Sequence, residues 1–391
     1  MVEFSPYAYE FHEDPYPIYR RLRDEAPVYR NEELGFWALS RHVDVLAGFR
    51  DFQRLSSRCG VSLDRDAFHD DAQTTMSFLA MDPPRHTRMR ALVSSGFTPR
   101  RVTELEPRIR EMTIAMLDEI AGKDACEFIG EFAGRLPMDV VSELLGVPAA
   151  DRTTLRTWAD TVVHREEGYE GLPAAAAESA LRILHYFTEL LKDRRSAPRD
   201  DLTGALLRAE VDGDRLSDKE IIGFLFLMII AGNETTTKLL GNALYWLDRN
   251  PGEREKVEAD PGLVAAWVEE TLRYDNSTQA LARVAAHDFE VHGVKIREGE
   301  KVVLLVGSAN RDERVWDEPD RYQIQRNTRS SLSFGQGTHF CLGASLARLE
   351  ARVALEEIQR RLPGWRVEPE GLERVHSVNV RGFAALPLRL S

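Results

Sequence analysis

Apolar residues recur at every third or fourth position along most of the chain, which is the pattern of helices that bury one face. This spacing predicts helices over Pro17–Glu25, Pro84–Phe97, Val102–Ile120, Leu136–Leu145, Asp151–His164 and Ala174–Arg194. Stretches typical of strands are few and short, namely Val28–Arg30, Phe36–Leu39, Ala282–Ala285, Phe289–Val291, Lys301–Val306 and Ala384–Leu390. The pattern therefore predicts a mainly α protein with a small β portion.

No linker rich in Gly, Ser or Pro divides the chain, so we expect one domain over residues 1–391. We expect the β-containing portion at roughly 1–80, 280–330 and 364–391, and the helix-rich portion at roughly 84–275 and 341–362. Two connections, 55–80 and 165–173, are long and polar. Such connections form either lids over a binding site or mobile surface, and the sequence leaves both interpretations open.

One predicted helix is unusually long. It begins after Ser217, whose spacing to Glu220 is that of a capping box, and continues to about Asp248. A helix of this length would cross most of a molecule of this size. Its first half, residues 221–230, is apolar on nearly every face, so the helix must be buried there.

The apolar half of this helix is followed by the sequence AGNETTT at residues 231–237. A glycine and three threonines weaken a helix, and a buried glutamate is costly unless it is paired or protonated. One interpretation is a kink where the helix reaches solvent. The other is a helix opened beside a buried reaction site, where Glu234 and the Thr235 hydroxyl pass protons to a bound oxygen species.

A second unusual segment contains a cysteine at the start of a helix. Gly335 and Gly337 allow tight turns in the loop, and a helix is predicted from about Ala344 to Leu362. Cys341 lies where the free amide groups and the positive end of the helix dipole stabilise a thiolate. A thiolate framed by glycines suits an axial ligand of haem iron.

Three other interpretations of this segment compete. A lone cysteine is most often a buried free thiol. A glycine-rich nucleotide loop fits poorly, since Phe340 occupies the third glycine position and no clear strand precedes the loop. A catalytic nucleophile needs a base, and His339 is adjacent in the sequence. The residues alone leave these alternatives open.

Composition restricts the class of protein. The 391 residues contain 51 basic and 64 acidic side chains, which gives a net charge of −13 and argues against a nucleic-acid partner. The amino-terminal segment lacks the features of a signal peptide, and the longest apolar run is too short to span a membrane. Three dispersed cysteines suggest no disulfide framework. We therefore expect a cytoplasmic protein without a membrane anchor.

Four motifs together resemble those of one family. The cysteine segment is similar to the F-x-x-G-x-H-x-C-x-G signature of the bacterial cytochromes P-450, the haem-thiolate monooxygenases. Residues 231–235 resemble the acid–threonine motif of the family's central helix, residues 270–273 resemble its E-x-x-R helix, and residues 309–322 resemble the segment that follows. The resemblance covers essentially the whole chain. It implies the cytochrome P-450 fold, with haem b buried between the long central helix and the cysteine loop.

The resemblance also implies roles for individual residues. Cys341 is the expected iron ligand, and Glu234 and Thr235 are the expected acid–alcohol pair. The expected haem-binding residues are His86, Arg90, Ala231, Gly232, Arg283, Phe334, Gly335, His339, Cys341 and Gly343. A structural acid–arginine cluster is expected at Glu270, Arg273 and Arg326. Expected substrate contacts are Phe78, Leu79, Ile230, Thr278, Gln279, Ala280, Asn379 and Val380.

The implied function is insertion of one oxygen atom from O2 into an apolar small molecule, by hydroxylation or epoxidation. Natural-product tailoring and catabolism of terpenes, steroids or fatty acids all fit this function. The implied electron source is NAD(P)H, acting through a ferredoxin reductase and a ferredoxin, and a monomer is the expected state. The alternatives are a peroxide-driven peroxygenase and a non-catalytic haem-thiolate protein that binds gas or another ligand.

One departure from the family pattern lies in the segment YDNSTQALAR, residues 274–283. Relatives often have proline near the position of Ser277. The resemblance places this segment at the substrate pocket, so the backbone there cannot be predicted from the family pattern.

Overall fold

The computed structural model describes residues 2–94, 97–166, 171–211 and 213–390, and part of the predicted 165–173 connection lies outside them. Its helices are α1 (Tyr9–Glu13), α2 (Tyr16–Glu25), α3 (His42–Arg50), α4 (Gln73–Met76), α5 (Arg85–Ser94), α6 (Pro99–Glu104), α7 (Glu106–Ile120), α8 (Leu136–Leu145), α9 (Arg152–Val163), α10 (Ala174–Ser196), α11 (Leu202–Arg208), α12 (Asp218–Asp248), α13 (Pro251–Ala259), α14 (Val264–Tyr274), α15 (Val306–Ala309) and α16 (Ala344–Arg361). The mainly α character with a small β portion is confirmed.

The strands are short. They are β1 (Val28–Asn31), β2 (Phe36–Leu39), β3 (Leu55–Ser56), β4 (Ala125–Glu127), β5 (Glu210–Val211), β6 (Asp214–Arg215), β7 (Ala280–Ala285), β8 (Phe289–Val291), β9 (Val294–Ile296), β10 (Lys301–Leu305), β11 (Arg366–Val367), β12 (Glu373–Arg374), β13 (Phe383–Ala385) and β14 (Pro387–Arg389). The largest sheet has the order β1-β2-β10-β7-β3, in which β10 runs parallel to β2 and antiparallel to β7.

The strand β10 is apolar along its length because it lies at the centre of this sheet. Val303 and Leu305 pack into one apolar cluster, whereas Val302 and Leu304 pack into another. This alternation is that of a strand buried on both faces. The sheet is therefore covered on both sides, and β7 reaches from it into the helical part of the molecule.

The long helix α12 is the central element of the helical part. The capping box is present: the Ser217 hydroxyl accepts from the Glu220 N–H, and the Glu220 carboxylate accepts from the Ser217 N–H. The helix is about 46 Å long at 1.5 Å per residue. Helices α8, α9, α10, α14 and α16 all pack against it. Because it is surrounded in this way, its apolar half is buried as predicted.

Three expectations about local structure were wrong. Residues 102–120 form two helices rather than one, because Pro107 suits the first turn of α7 and cannot continue α6. The carboxyl-terminal strand is divided into β13 and β14, since the Leu386 N–H between them bonds to the Glu127 carboxylate at 2.8 Å instead of to a strand. The connection 55–80 contains β3, α4 and two single helical turns rather than a continuous loop.

The predicted interruption of α12 also differs from the structure. The helix continues through residues 231–237 without a break. The hydroxyls of Thr235 and Thr237 bond back to the carbonyls of Ala231 and Asn233 at 2.8 and 2.9 Å. These bonds satisfy the hydroxyls within the helix, so the polar stretch does not need an open turn.

No helix in the described ranges has the length and the apolar composition that crossing a bilayer requires.

Candidate active site

A cavity lies between α12 and the loop that precedes α16. The predicted haem-binding residues that line it are Ala231, Gly232, Arg283, Phe334, Gly335, His339, Cys341 and Gly343. Three separate parts of the chain contribute to this set: the middle of α12, strand β7 and the cysteine loop. The structure thus brings together residues that are more than a hundred positions apart in the sequence.

The cysteine loop has the backbone that its glycines predict. Gly335 and Gly337 have φ values of 67° and 68°, in the left-handed region that side chains other than glycine rarely adopt. A Cβ on Gly337 would also lie 3.0 Å from the carbonyl oxygen of Phe49. The Cys341 N–H bonds to the Phe334 carbonyl at 2.9 Å and closes the loop directly before α16. The loop therefore holds the cysteine at the start of a helix, as predicted.

The charge state of Cys341 differs from the prediction. Cys341 is exposed to the cavity, and enclosure by the surrounding protein raises the pKa of its thiol above the ordinary value, opposed by the N–H groups of Gly343 and Ala344 and the guanidinium groups of Arg90 and Arg348. The helix start favours the thiolate, but by less than burial disfavours it. A bound metal cation would favour the thiolate.

Four basic side chains lie close together beside the cavity. Arg283 and His339 line it, whereas His86 and Arg90 are not among its lining residues. The rings of His86 and His339 are 4.3 Å apart, and the charges of Arg90 and Arg283 both act on His339. Arg283 is 2% exposed, and burial lowers its pKa to about 10, opposed only by the charge of Asp82. Burial is also the main cause that lowers the pKa of His86 to about 4 and that of His339 to about 2. Asp82 is the acidic group whose charge acts on Arg283 and His86, and neither Arg90 nor Arg283 forms an ion pair with another described residue.

Hydrogen bonding in this cluster is also incomplete. Neither ring nitrogen of His86 nor Nδ1 of His339 has a hydrogen-bond partner among the described residues. Buried polar groups without partners are rare. The cluster therefore fits a doubly anionic group such as the two propionates of haem. In the described part of the chain no three His, Cys, Asp or Glu side chains converge on one point.

The predicted acid and alcohol point in different directions. Thr235 lines the cavity, whereas the carboxylate of Glu234 is 2% exposed and points away from it, towards Lys238 Nζ at 3.4 Å. The expectation that both groups face the reaction site is wrong for the acid. The physical reason is helical geometry, because successive residues project about 100° apart.

The segment 274–283, which departs from the family pattern, is hydrogen-bonded to α12. The Ser277 hydroxyl donates to the Thr235 carbonyl at 2.7 Å, and the Ser277 carbonyl accepts from the Arg381 N–H at 2.7 Å. Thr278 forms an isolated bridge with Val380. A proline at position 277 could not make the first of these bonds, so this chain fixes the backbone of Thr235 with a hydroxyl of its own.

The structure brings the predicted acid–arginine cluster together. Glu270 and Arg273 are fully buried and form a bidentate pair at 2.8 Å, and Arg326 Nε lies 3.5 Å from Glu270. Arg273 also donates to the carbonyls of Asn310 and Pro319 at 3.0 and 2.9 Å. These bonds connect α14 to the segment that leads to the cysteine loop.

The structure places the predicted substrate contacts in two groups, on the cavity and away from it. Phe78, Leu79 and Thr278 line the cavity. The predicted contacts that are not among its lining residues are Ile230, Gln279, Ala280, Asn379 and Val380. The segments of Gln279 and Asn379 are instead hydrogen-bonded to each other, since the Gln279 N–H donates to the Asn379 carbonyl at 2.8 Å.

Several lining residues were missed by the sequence analysis. They include Phe97, Val141, Leu227 and Met228. Leu227 and Met228 precede Ala231 and Gly232 by four positions, so helical spacing could have indicated them. Val141 comes from α8 and packs 3.5 Å from the position of a Cβ on Gly232, a contact that the sequence does not signal.

Comparisons with known proteins agree with this geometry. The family model for cytochrome P-450 matches residues 172–260 and 262–376. The chain is 56% identical over 385 residues to the putative cytochrome P-450 123 of Mycobacterium tuberculosis, covering 98% of this chain and 96% of that protein. It is 39% identical to the vitamin D(3) 25-hydroxylase of Pseudonocardia autotrophica, covering 97% of this chain and 94% of that protein.

A solved structure shares the fold. The crystal structure of CYP109E1 from Bacillus megaterium in complex with testosterone matches with a TM-score of 0.90 and 32% identity, covering 98% of this chain and 100% of that chain. This match covers nearly the whole chain and agrees with the predicted fold. The chain therefore belongs to the cytochrome P-450 family, whose members are haem-dependent monooxygenases.

Proposed function

We propose that this protein inserts one atom of O2 into an apolar small molecule by hydroxylation or epoxidation, with haem b in the cavity and Cys341 as its iron ligand. One observation supports this most strongly: Arg283 and His339 of the basic cluster line the same cavity as Cys341, and the buried Arg283 forms no ion pair with another described residue. Haem bound there supplies the binding and reductive activation of O2. The residues of this chain bind and orient the group and control the protons.

The basic cluster would determine the orientation of the haem. We assign His86, Arg90, Arg283 and His339 to the two propionates, whose negative charges would satisfy the buried cations. Arg90 is already fixed, since it donates to the carbonyls of Thr338 and Phe340 at 3.2 and 2.7 Å. The helix segment at Ala231 and Gly232 and the loop residues Phe334, Gly335 and Gly343 would contact the two faces of the ring.

We assign the delivery of protons to Glu234 and Thr235. The Thr235 hydroxyl is at the cavity and its donor bond to Ala231 is local to the helix, so the same oxygen can accept a proton from water and pass it on. Glu234 lies one residue earlier, on the side that faces away from the cavity. In this proposal Glu234 passes the proton on and the Thr235 hydroxyl delivers it.

Replacing Thr235 with alanine tests this function. In Thr235→Ala we expect NAD(P)H consumption to continue while the fraction that yields product falls at least about tenfold, because general acid catalysis is lost. Hydrogen peroxide should be released instead. Thr235→Ser, which keeps the hydroxyl, should restore most of the coupling. Fully coupled turnover in Thr235→Ala would show that this hydroxyl takes no part in proton delivery.

The electron donors are proposed to be a ferredoxin and its reductase. Turnover with NAD(P)H should require both proteins, and hydrogen peroxide should not replace them efficiently. A peroxygenase would show the reverse, and a non-catalytic haem protein would show no turnover with either. The presence of an acid and an alcohol at positions 234 and 235 supports the O2-dependent alternative.

The cavity favours an apolar substrate. The side chains of Phe78, Leu79, Leu227, Met228 and Leu281 supply apolar lining, and relatives are named for vitamin D hydroxylation or hold testosterone. We propose a terpene, steroid or fatty acid, in natural-product tailoring or in catabolism. The hydroxyls of Ser277 and Thr278 lie at the same cavity and could bind one polar group of such a molecule. This binding is measured directly by titrating candidate compounds into the haem-loaded protein and recording the change in haem spin state.

A further inference from the structure

The connection between α14 and β7 is hydrogen-bonded to α12 at three positions. Asn242 Nδ2 donates to the Asp275 carbonyl, and Trp246 Nε1 donates to the Asp275 carboxylate, both at 2.8 Å. The third bond is that from the Ser277 hydroxyl to the Thr235 carbonyl, at 2.7 Å. Of these five residues, only Ser277 and Thr235 line the cavity. The third bond is therefore the one that reaches the reaction site.

The three bonded positions lie on one face of α12. Thr235, Asn242 and Trp246 are separated by about two helical turns and then by about one, a spacing that returns to the same side of a helix. The Thr235 carbonyl belongs to the continuous helix, and a carbonyl oxygen can accept two hydrogen bonds. The Ser277 hydroxyl thus adds a second bond to it. This bond fixes the peptide group between Thr235 and Thr236, both of which line the cavity.

Ser277 is itself held from the side opposite to α12. The Arg381 N–H donates to the Ser277 carbonyl at 2.7 Å, and Arg381 Nε donates to the fully buried Asp275 carboxylate at 2.7 Å. Ser277 is 5% exposed, so its hydroxyl lies between two packed segments. A serine hydroxyl has one proton to donate, and here that proton is used on α12. Because the anchor is fixed, it can hold the helix backbone in one position.

We propose that Ser277 is a positioning residue for Thr235: its bond to the Thr235 carbonyl keeps the Thr235 hydroxyl where it delivers protons. This inference rests on the proposed role of Thr235. The Thr235 hydroxyl is bonded back to the Ala231 carbonyl at 2.8 Å, so its position follows that of the helix backbone. A catalytic group must be held within about 0.5 Å of its productive geometry, so a small shift of this backbone matters. Ser277 acts only through Thr235 and transfers no proton itself.

Infrared spectroscopy measures the bond independently of activity. In protein labelled with carbon-13 at the threonine carbonyls, one labelled band should move to higher frequency in Ser277→Ala, because the Thr235 carbonyl loses one of its two hydrogen bonds. The shift should be absent in a Thr235→Ser background, where residue 235 carries no labelled carbonyl. If no labelled band moves in Ser277→Ala, the bond does not exist in solution and the inference is overturned.

Ser308→Ala is a matched control for this substitution. Ser308 is also buried, and its hydroxyl donates to the Ser40 carbonyl at 2.8 Å. It does not line the cavity, and the carbonyl that it binds is not a threonine carbonyl. This variant should therefore leave the labelled bands unchanged.

Turnover of the holoenzyme measures the effect on proton delivery. At saturating substrate, the fraction of NAD(P)H consumption that yields product should fall about fivefold in Ser277→Ala, the factor that one ordinary hydrogen bond contributes. Hydrogen peroxide should be released instead. Ser277→Thr, which keeps the hydroxyl, should recover most of the coupling, and Ser308→Ala should retain it. Wild-type coupling in Ser277→Ala would contradict the positioning role.

A double-mutant cycle separates positioning from direct contact with the substrate. If Ser277 acts through Thr235, adding Ser277→Ala to Thr235→Ala should lower the coupled fraction no further, because the hydroxyl that it positions is already absent. A further loss in the double variant, as large as that in Ser277→Ala alone, would mean that the two residues act independently. That result would overturn the inference.

The failure of this inference and that of the proposed function give different results. Fully coupled turnover in Thr235→Ala would contradict the proposed delivery of protons by Thr235, and the role of Ser277 would fail with it even if the infrared shift were present. Uncoupled turnover in Thr235→Ala together with full coupling in Ser277→Ala would overturn the role of Ser277 alone.

Discussion

Glu270→Ala is expected to destabilise the protein by about 3–5 kcal/mol and to abolish haem retention. Glu270 is fully buried and compensates Arg273, which is also fully buried, and Arg326, whose side chain is 8% exposed. It also accepts from the Gln323 N–H at 2.8 Å. Without the carboxylate, two guanidinium groups stay in a nearly dry environment with carbonyl partners only. The segment that leads to the cysteine loop loses its anchor as a result.

Denaturant unfolding and haem content measure this effect. Glu269→Ala is a matched control, since Glu269 is the adjacent residue and its pair with Arg348 is partly exposed, at 30% and 40%. Exposed pairs contribute at most about 1 kcal/mol, so this variant should remain folded and bind haem. A Glu270→Ala protein with wild-type stability and a full complement of haem would show that the cluster is not structural.

Cys341→Ser is expected to abolish thiolate ligation and monooxygenase turnover completely. A serine hydroxyl is protonated at neutral pH and does not replace a thiolate ligand, which supplies the electron density for O–O cleavage. The residues of the basic cluster are unchanged, so the variant should still take up haem, though less tightly. The measurement is the position of the Soret band of the reduced carbon monoxide complex.

The matched control for this variant is Cys59→Ser. Cys59 is buried, and its thiol donates to the Asp70 carboxylate at 3.5 Å, in the 55–80 connection. A hydroxyl can make the same bond, so this protein should keep the thiolate-type spectrum. If Cys341→Ser kept that spectrum and Cys59→Ser lost it, the assignment of the iron ligand would be reversed.

Local patterns predicted the elements that local forces decide. The Ser217–Glu220 capping box marks the start of α12 because both of its hydrogen bonds form within one turn. Gly335 and Gly337 marked the cysteine loop because a positive φ is a property of a single residue. The division of residues 102–120 at Pro107 could have been predicted from the same kind of signal.

Features that depend on packing between distant segments were not predictable. Whether Glu234 or Thr235 faces the cavity depends on how the other helices pack against α12, and the sequence around residue 234 does not show this. The Ser277 hydroxyl on the Thr235 carbonyl is a contact of the same kind. Gln279 and Asn379, two of the predicted substrate contacts, do not line the cavity, because backbone pairing that the sequence does not show directs their segments along each other.

The carbon monoxide difference spectrum of the purified, dithionite-reduced protein tests the central claim most directly. The claim is that Cys341 ligates haem iron as a thiolate in the cavity beneath α12. It predicts a strongly red-shifted Soret band. A band at the position typical of histidine- or thiol-ligated haem, or the absence of any haem band, would contradict it.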